Sequence, residues 1–315
     1  MIFKGQRTED PGIGTSFERP VDRLMGPDGS FRVQRIGERG GLREGFVALV
    51  TMGTLRLVVT FLLGYVGMNL LFASLYMLLG VEHIGNADTG SLWGRWLSAL
   101  GMSVQTLTTV GYGSLYPVGA AAWAIAAVEG VFGILGFSLV SAVIYARFAR
   151  PKASMVYGEQ ALIAPFKDGW SLQVRVANRR STLLIEVEAR ILLVMADVDD
   201  QGERLNYFNL PLQIDRVTFL PLSWTLVHPI TPESPLAGLS MEDLRTRRAE
   251  FLVILKGTDE GYMGTVFARR SFRYDELAWG ARFVRAFTVQ DGTTRLDLGR
   301  LGEHQPVPAP ERLPN

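Results

Sequence analysis

Two stretches of the chain carry almost no charge. Leu57 to Gly80, LVVTFLLGYVGMNLLFASLYMLLG, has no ionisable side chain over 24 residues, and Val118 to Tyr145 has one, Glu129. A helix of the first length reaches about 36 Å, enough to cross roughly 30 Å of hydrocarbon with some tilt. Both are therefore expected to be membrane spans. Arg56 closes the front of the first, and Arg147, Arg150 and Lys152 follow the second. The connection between them carries Glu82, Asp88 and Arg95, so it has no basic excess. Cationic flanks outside the pair predict that both termini are cytoplasmic, in a cell (inner) membrane protein.

Upstream, residues 43–55 can form a short amphipathic helix, either a helix lying along the interface or an extension of the first span. Residues 1–40, rich in Gly, Arg, Asp and Pro, are expected to be extended or loosely ordered. After Pro151 the apolar positions switch to period two. SLQVRVANRR, LLIEVEARILLV, EFLVILKG and GTVFARRSFRY alternate or run apolar between Gly-, Pro- and Asp-rich turns, which predicts a β-sandwich of seven or more strands. One helix is expected in SPLAGLSMEDLRTRRA, with Ser240 as its N-cap. The Pro-rich residues 304–315 are expected to be disordered. The expected division is thus a cytoplasmic N-terminus over 1–56, a pore domain over 57–150, a cytoplasmic sandwich over 151–303 and a tail over 304–315.

Composition narrows the chemistry. The 315 residues are 48% hydrophobic and 20% charged, which fits a part-membrane, part-soluble chain. A net charge of +1 argues against a nucleic-acid partner. With no cysteine, disulfides and thiolate metal sites are excluded. The three histidines, His83, His228 and His304, are far apart and argue against a metal site. No nucleophile–base set or phosphate loop appears, so an enzyme and a resident cofactor are not expected.

The connection between the spans is too apolar for a surface loop. SLWGRWLSALGMSVQTLTT spaces Trp93, Trp96, Leu97 and Leu100 at three and four, as a helix would. It would enter and leave the membrane on one side, which is tolerated only where protein covers it or it lines a watery cavity. It ends in Thr109-Val110-Gly111-Tyr112-Gly113. Glycine reaches dihedrals that other residues avoid. Alternating ordinary and glycine residues can turn successive carbonyls to one side, and several copies around an axis would replace the water shell of a cation. TVGYG is the potassium-filter pentapeptide, which makes K+ the expected permeant ion, bound at Thr109, Val110, Gly111 and Tyr112.

With these residues in view, the chain resembles the inward-rectifier potassium channels, most closely their prokaryotic KirBac branch. NLLFASLY is similar to the family's first transmembrane helix and IYARFARPK to its inner-helix junction. RVANRR, LSWTLVHPITPESPL, EFLVILKG and DELAWGARF resemble successive blocks of its cytoplasmic domain. No Arg-rich sensor helix appears, and the one near match to a dinucleotide fingerprint, GVFGILG, lies inside a span. The resemblance implies a membrane α-helical pore, two transmembrane helices plus a re-entrant pore helix. To this it adds a C-terminal cytoplasmic immunoglobulin-like β-sandwich, the whole assembled as a homotetramer.

It also implies roles. Phe137, Ser141 and Tyr145 share one helical stripe, which could pack on a neighbouring span; the family pattern puts it on the pore, with Tyr145 at the cytoplasmic constriction. Gly133 and Gly136 are candidate hinges or close-packing positions. Phe137 stands where strong rectifiers carry an acid, which argues against strong block within the membrane pore. Glu186 and Glu260 match acidic residues of the cytoplasmic vestibule, and solvated surface charges are the alternative. Glu129 is expected behind the filter, bonded to filter or pore-helix groups. Arg147, Arg150 and Lys152 either set topology or bind membrane lipids, phosphoinositides or other anionic headgroups. The competing function is a membrane-anchored β-sandwich that binds a ligand or partner beside a non-conducting pore.

Overall fold

The computed structural model describes residues 7–17, 23–31, 33, 41–149, 154–199 and 202–314. It divides into two compact units, residues 37–150 and residues 1–36 with 151–315.

The first unit is helical. Helix α1, Leu42–Thr51, ends at Met52 and Gly53, whose ψ angles of 148° and 144° break the helical path. Helix α2, Thr54–Leu79, follows at once, so the first long helix starts three residues earlier than the uncharged run and takes in Arg56. Helix α3, Leu92–Leu107, is the short helix expected between the spans, and α4, Ala120–Phe148, is the second span. Both α2 and α4 are long and apolar enough to cross a membrane. Phe72, Ala73 and Tyr76 of α2 pack with Ala99 and Met102 of α3 in a small buried cluster. Most large apolar side chains of α2 and α4 point outward, as they must when lipid or another copy supplies the other half of the contact. A two-residue pairing, Ile84 with Pro117 and Gly85 with Tyr116, closes the ends of the α2–α3 and α3–α4 connections together.

The second unit is β-rich. One sheet runs in the order Arg7–Thr8, Gly202–Leu210, Leu184–Asp199, Glu250–Asp259, Gly264–Arg273. The other runs Ser223–Ile230, Gly169–Asn178, Ala161–Phe166, Leu277–Trp279, and Met155–Tyr157 adds to the end of Gly169–Asn178. Their inner faces share one core that includes Leu172, Val174, Ile191, Leu193, Phe251 and Phe272. Strand Ser223–Ile230 alternates strictly: Trp224, Leu226, His228 and Ile230 are buried and the residues between them are not. Helix α5, Met241–Thr246, starts at Ser240 with a reciprocal cap: the Ser240 hydroxyl accepts from Asp243 N and the Asp243 carboxylate accepts from Ser240 N.

Two expectations are corrected. The N-terminal segment is not loose throughout, because Arg7–Thr8 extends a sheet and residues 23–31 dock on the β-rich unit. Buried Glu250 accepts hydrogen bonds from Leu24 N and Met25 N, and Arg23 pairs with Glu276 at 2.8 Å. The tail is also ordered to residue 314. His304–Pro306 pairs with Ala281–Phe283, Trp279 Nε1 donates to Pro310 O, and Leu313 is buried. Its prolines lack donors but keep their carbonyls, and a single buried leucine supplies the apolar anchor.

Candidate functional site

The site begins at Ser91, whose hydroxyl accepts from Gly94 N and starts α3. The helix ends at Thr108, and the backbone then alternates. Thr109, Gly111 and Gly113 have φ of 60°, 58° and 78°, whereas Val110 and Tyr112 are not in the positive region. Space does not explain the glycines, since a Cβ at Gly111 or Gly113 would meet nothing within 4 Å. The requirement is conformational: every second residue is left-handed, which costs a β-branched threonine about 1–2 kcal/mol. Strain of this kind persists only where the surroundings over-determine it.

Gln105 is what over-determines it. Its carbonyl accepts from Val110 N at 3.0 Å and Gly111 N at 3.2 Å. Its side-chain Nε2 donates to Leu115 O at 2.6 Å, beyond the last glycine. One residue of α3 thus holds both ends of the segment. Asn86 adds a bond from Nδ2 to Ser114 O. Neither Gln105 nor Asn86 was singled out from the sequence, where a polar residue inside an amphipathic helix gives no sign of its partner.

A buried polar cluster joins α2, α3 and α4. Glu129 of α4 is fully buried and accepts from Ser103 Oγ of α3 at 2.5 Å and from Tyr76 OH of α2 at 3.0 Å. Asn69 Oδ1 lies 3.2 Å from the same serine hydroxyl. Three helices therefore meet on one carboxyl group. Gly133, one turn further along α4, is pressed against the end of α3: a Cβ there would lie 2.2 Å from Leu107 O. Close approach explains this glycine. Gly136 has open space around it, and α4 runs unbroken through both.

Phe137 and Tyr145 are 76% and 74% exposed, and Ser141 is exposed between them, so the stripe is an uncovered face within one chain. Arg147 is committed elsewhere. Its guanidinium donates to Met52 O at 2.7 Å and to Thr54 Oγ1 at 3.1 Å, tying the end of α4 to the joint between α1 and α2. Arg150 and Lys152 lie outside the described residues. In the β-rich unit, Glu186 and Glu260 are both exposed at the end of one strand pair, where Asp259 faces Leu184 and Glu260 N donates to Leu183 O. Glu186 sits at a left-handed φ of 48°, beside the register shift between Lys256 and Thr258.

Comparison with known proteins bears on both units. Residues 57–150 match the ion channel family, and residues 155–313 match the inward rectifier potassium channel C-terminal domain. The chain is 36% identical over 286 residues to the inward rectifier potassium channel Kirbac3.1 of Paramagnetospirillum magnetotacticum, covering 89% of this chain and 95% of that one. The chain belongs to the inward-rectifier potassium channel family. Mammalian relatives are more distant. ATP-sensitive inward rectifier potassium channel 12 of Bos taurus and inward rectifier potassium channel 18 of Homo sapiens are each 27% identical over 86% of this chain, covering 68% and 67% of their own lengths. Among solved structures, Spo0M of Bacillus subtilis matches at 13% identity over 39% of this chain and 48% of its own, with a TM-score of 0.20, too low to carry an argument. This inward rectifier is thus a membrane protein with two spanning helices and a pore helix between them, and its family is one of ion channels, not enzymes.

Proposed function

We propose that this inward rectifier conducts potassium selectively through four copies of the segment Thr109 to Gly113, arranged about a common axis. The observation that carries the reading is the left-handed alternation at Thr109, Gly111 and Gly113 directly after a pore helix. Such a backbone aims successive carbonyls the same way, and rings of carbonyls replace the hydration shell of K+. One chain with two spans cannot enclose a pore, so the reading requires a homotetramer, for which a cyclic interface is the closed solution. The protein contributes fixed dipoles held by Gln105, with no chemical step.

In this reading Phe137, Ser141 and Tyr145 line the inner path, and four Tyr145 rings close its cytoplasmic mouth by excluding water. Both termini are cytoplasmic, in the cell membrane. Gly136 remains the position where α4 can bend, since nothing packs on it. Glu186 and Glu260 draw cations into the cytoplasmic vestibule. Arg150 and Lys152 bind anionic lipid headgroups, phosphoinositides among them, and shift gating only if open and closed states bind those headgroups differently.

The test is rubidium uptake by the purified channel in liposomes, with barium block and competition by potassium and by sodium. Barium-sensitive uptake that potassium suppresses and sodium does not is expected. Absence of flux from well-formed tetramers would favour a membrane-anchored β-sandwich that binds a ligand beside a closed pore.

A further inference from the structure

Glu129 sits in α4 without a cation. It is fully buried, and it takes part in no ion pair among the described residues. Its partners are uncharged: Tyr76 on α2 and Ser103 on α3, with Asn69 of α2 beside the serine, and all three are buried. An ionised carboxylate held in this way inside hydrocarbon is costly, because two hydroxyls do not replace its lost hydration.

The protons of the cluster decide its charge. Tyr76 OH lies 3.0 Å from Glu129 Oε2, and Ser103 Oγ lies 2.5 Å from Glu129 Oε1 and 3.2 Å from Asn69 Oδ1. Asn69 cannot be turned round to donate to the serine, because its Nδ2 donates to Tyr65 O at 2.8 Å. The reversed amide would set two carbonyl oxygens against each other. Three contacts therefore each need a proton between two oxygens, and the two hydroxyls supply only two. With an ionised Glu129, Ser103 gives its one proton to the carboxylate, and its oxygen then faces the Asn69 carbonyl with nothing between them. A third proton, on Glu129, completes the set. The acid donates to Ser103, Ser103 to Asn69, and Asn69 to Tyr65 O, while Tyr76 still donates to the other carboxyl oxygen. The Tyr76 distance agrees, since a hydroxyl bonded to a charged carboxylate usually lies at about 2.5–2.7 Å. The shorter contact to Ser103 fits donation in either direction.

We infer that Glu129 is held as a neutral carboxylic acid, the head of a directed hydrogen-bond chain that positions α3 between α2 and α4. The proton between Glu129 and Ser103 belongs to the acid, the reverse of the direction an ionised carboxylate would impose. Glu129 is thus a positioning residue: it fixes the Ser103 hydroxyl on α3, and Ser103 in turn reaches Asn69 on α2. The run from Val118 to Tyr145, whose one ionisable acid is Glu129, then carries no net charge. A cation in the segment Thr109 to Gly113 is held by backbone dipoles without help from an anion in the span. That last consequence rests on the proposed conduction; the protonation of Glu129 does not.

The test is infrared difference spectroscopy on the full-length protein in phosphatidylcholine liposomes at neutral pH. Wild type minus Glu129→Gln should show the carbonyl-stretch band of a protonated carboxylic acid. Carboxylate bands in its place overturn the inference. Asn69→Leu takes away the acceptor at the end of the chain and leaves both partners of Glu129 in place. It should shift the acid band to higher frequency, and an unmoved band would mean that no chain runs through Ser103. Glutamine is the hydrogen-bonding equivalent of the protonated acid, with Nε2 to donate to Ser103 and Oε1 to accept from Tyr76. Glu129→Gln should therefore assemble as wild type does, while Glu129→Ala assembles poorly; a glutamine variant as defective as the alanine one counts against a neutral acid. In the flux arm, Glu129→Gln should keep rubidium uptake within about twofold of wild type. A loss of more than about tenfold would mean that an ionised Glu129 serves the permeant ion. If the wild type itself passes no rubidium, the conduction reading fails and the infrared bands still decide the state of Glu129.

Discussion

The two units solve the problem of buried polarity in opposite ways. In the β-rich unit, buried polar groups are scattered in small, separate bonded sets along an otherwise apolar core. His228 occupies one inward position of strand Ser223–Ile230, with Nδ1 donating to Pro211 O at 2.7 Å and Nε2 accepting from Ser234 Oγ at 2.8 Å. In the pore unit the buried polar residues converge: Glu129, Ser103, Tyr76 and Asn69 share one cluster, and Gln105 braces the segment beside it. A large apolar core tolerates such scattered polar pairs. A thin helical unit facing lipid has no water to fall back on, so its polar groups must satisfy one another. A substitution in the polar cluster or braced segment of the pore unit should therefore act through geometry and reach ion selection, whereas one in the buried core of the β-rich unit should act through folding stability.

The largest test of that contrast is Gly111→Ala. The added Cβ has open space but not the left-handed dihedral, so the tetramer should assemble while potassium-over-sodium selectivity falls by about two orders of magnitude or more. Rubidium flux with competing sodium reads this directly, and retained selectivity would break the comparison at its first point. Next comes the pair Gly133→Ala and Gly136→Ala. The first drives a methyl group into Leu107 O and should cost about 1–3 kcal/mol of assembly stability. The second meets nothing and should leave thermal stability within about 0.5 kcal/mol. Equal effects in a tetramer-dissociation assay would mean that the close approach at Gly133 does not govern packing.

Tyr145→Ala should raise basal open probability severalfold, on the order of a 1 kcal/mol shift in the gating equilibrium. If the stripe instead packs against a neighbouring span, single-channel recordings will show unaltered opening and the tetramer will dissociate more readily. The smallest effect belongs to His228. Burial lowers its pKa below the ordinary value of about 6.5, with the bond to Pro211 opposing the shift. Above that value the imidazole is neutral whether folded or unfolded, and nothing is lost. As pH falls below it, the unfolded chain takes up a proton that the folded one refuses, and stability declines by at most about 1.4 kcal/mol per pH unit. Thermal unfolding at neutral and mildly acidic pH should show a shallower decline in His228→Gln. Flux selectivity should be the same in both.

The same contrast explains what could be read in advance. The spans were legible because one carries no charge over a membrane thickness and the other a single acid, and α3 because Trp93, Trp96, Leu97 and Leu100 keep helical spacing. The α5 cap was legible because Ser240 and Asp243 are neighbours in the chain. That Glu129 would be bonded to other helices was legible, since a lone acid in a span must find a partner. Its hydrogen bonds to Ser103 and Tyr76 were not, because the partners lie 26 and 53 positions away. The docking of residues 23–31 was hidden for the same reason. Arg23 meets Glu276 and Leu24 meets Glu250 across more than 200 residues, and neither pair leaves a local pattern.

The grip of Arg147 on Met52 and Thr54 has a mechanical consequence. A planar fork holding two points of one joint resists rotation as well as separation, so the end of α4 and the α1–α2 joint behave as pinned members of a linkage. Hydrogen bonds from a charged donor resist breaking by about 1.5–3 kcal/mol each. Any displacement of the last turn of α4 must therefore carry α1 along or shear the pin. In the proposed homotetramer, four such pins would convert any outward swing of α4 into a sweep of α1 around the rim, a motion that spin labels on α1 would register as a change in distance between subunits.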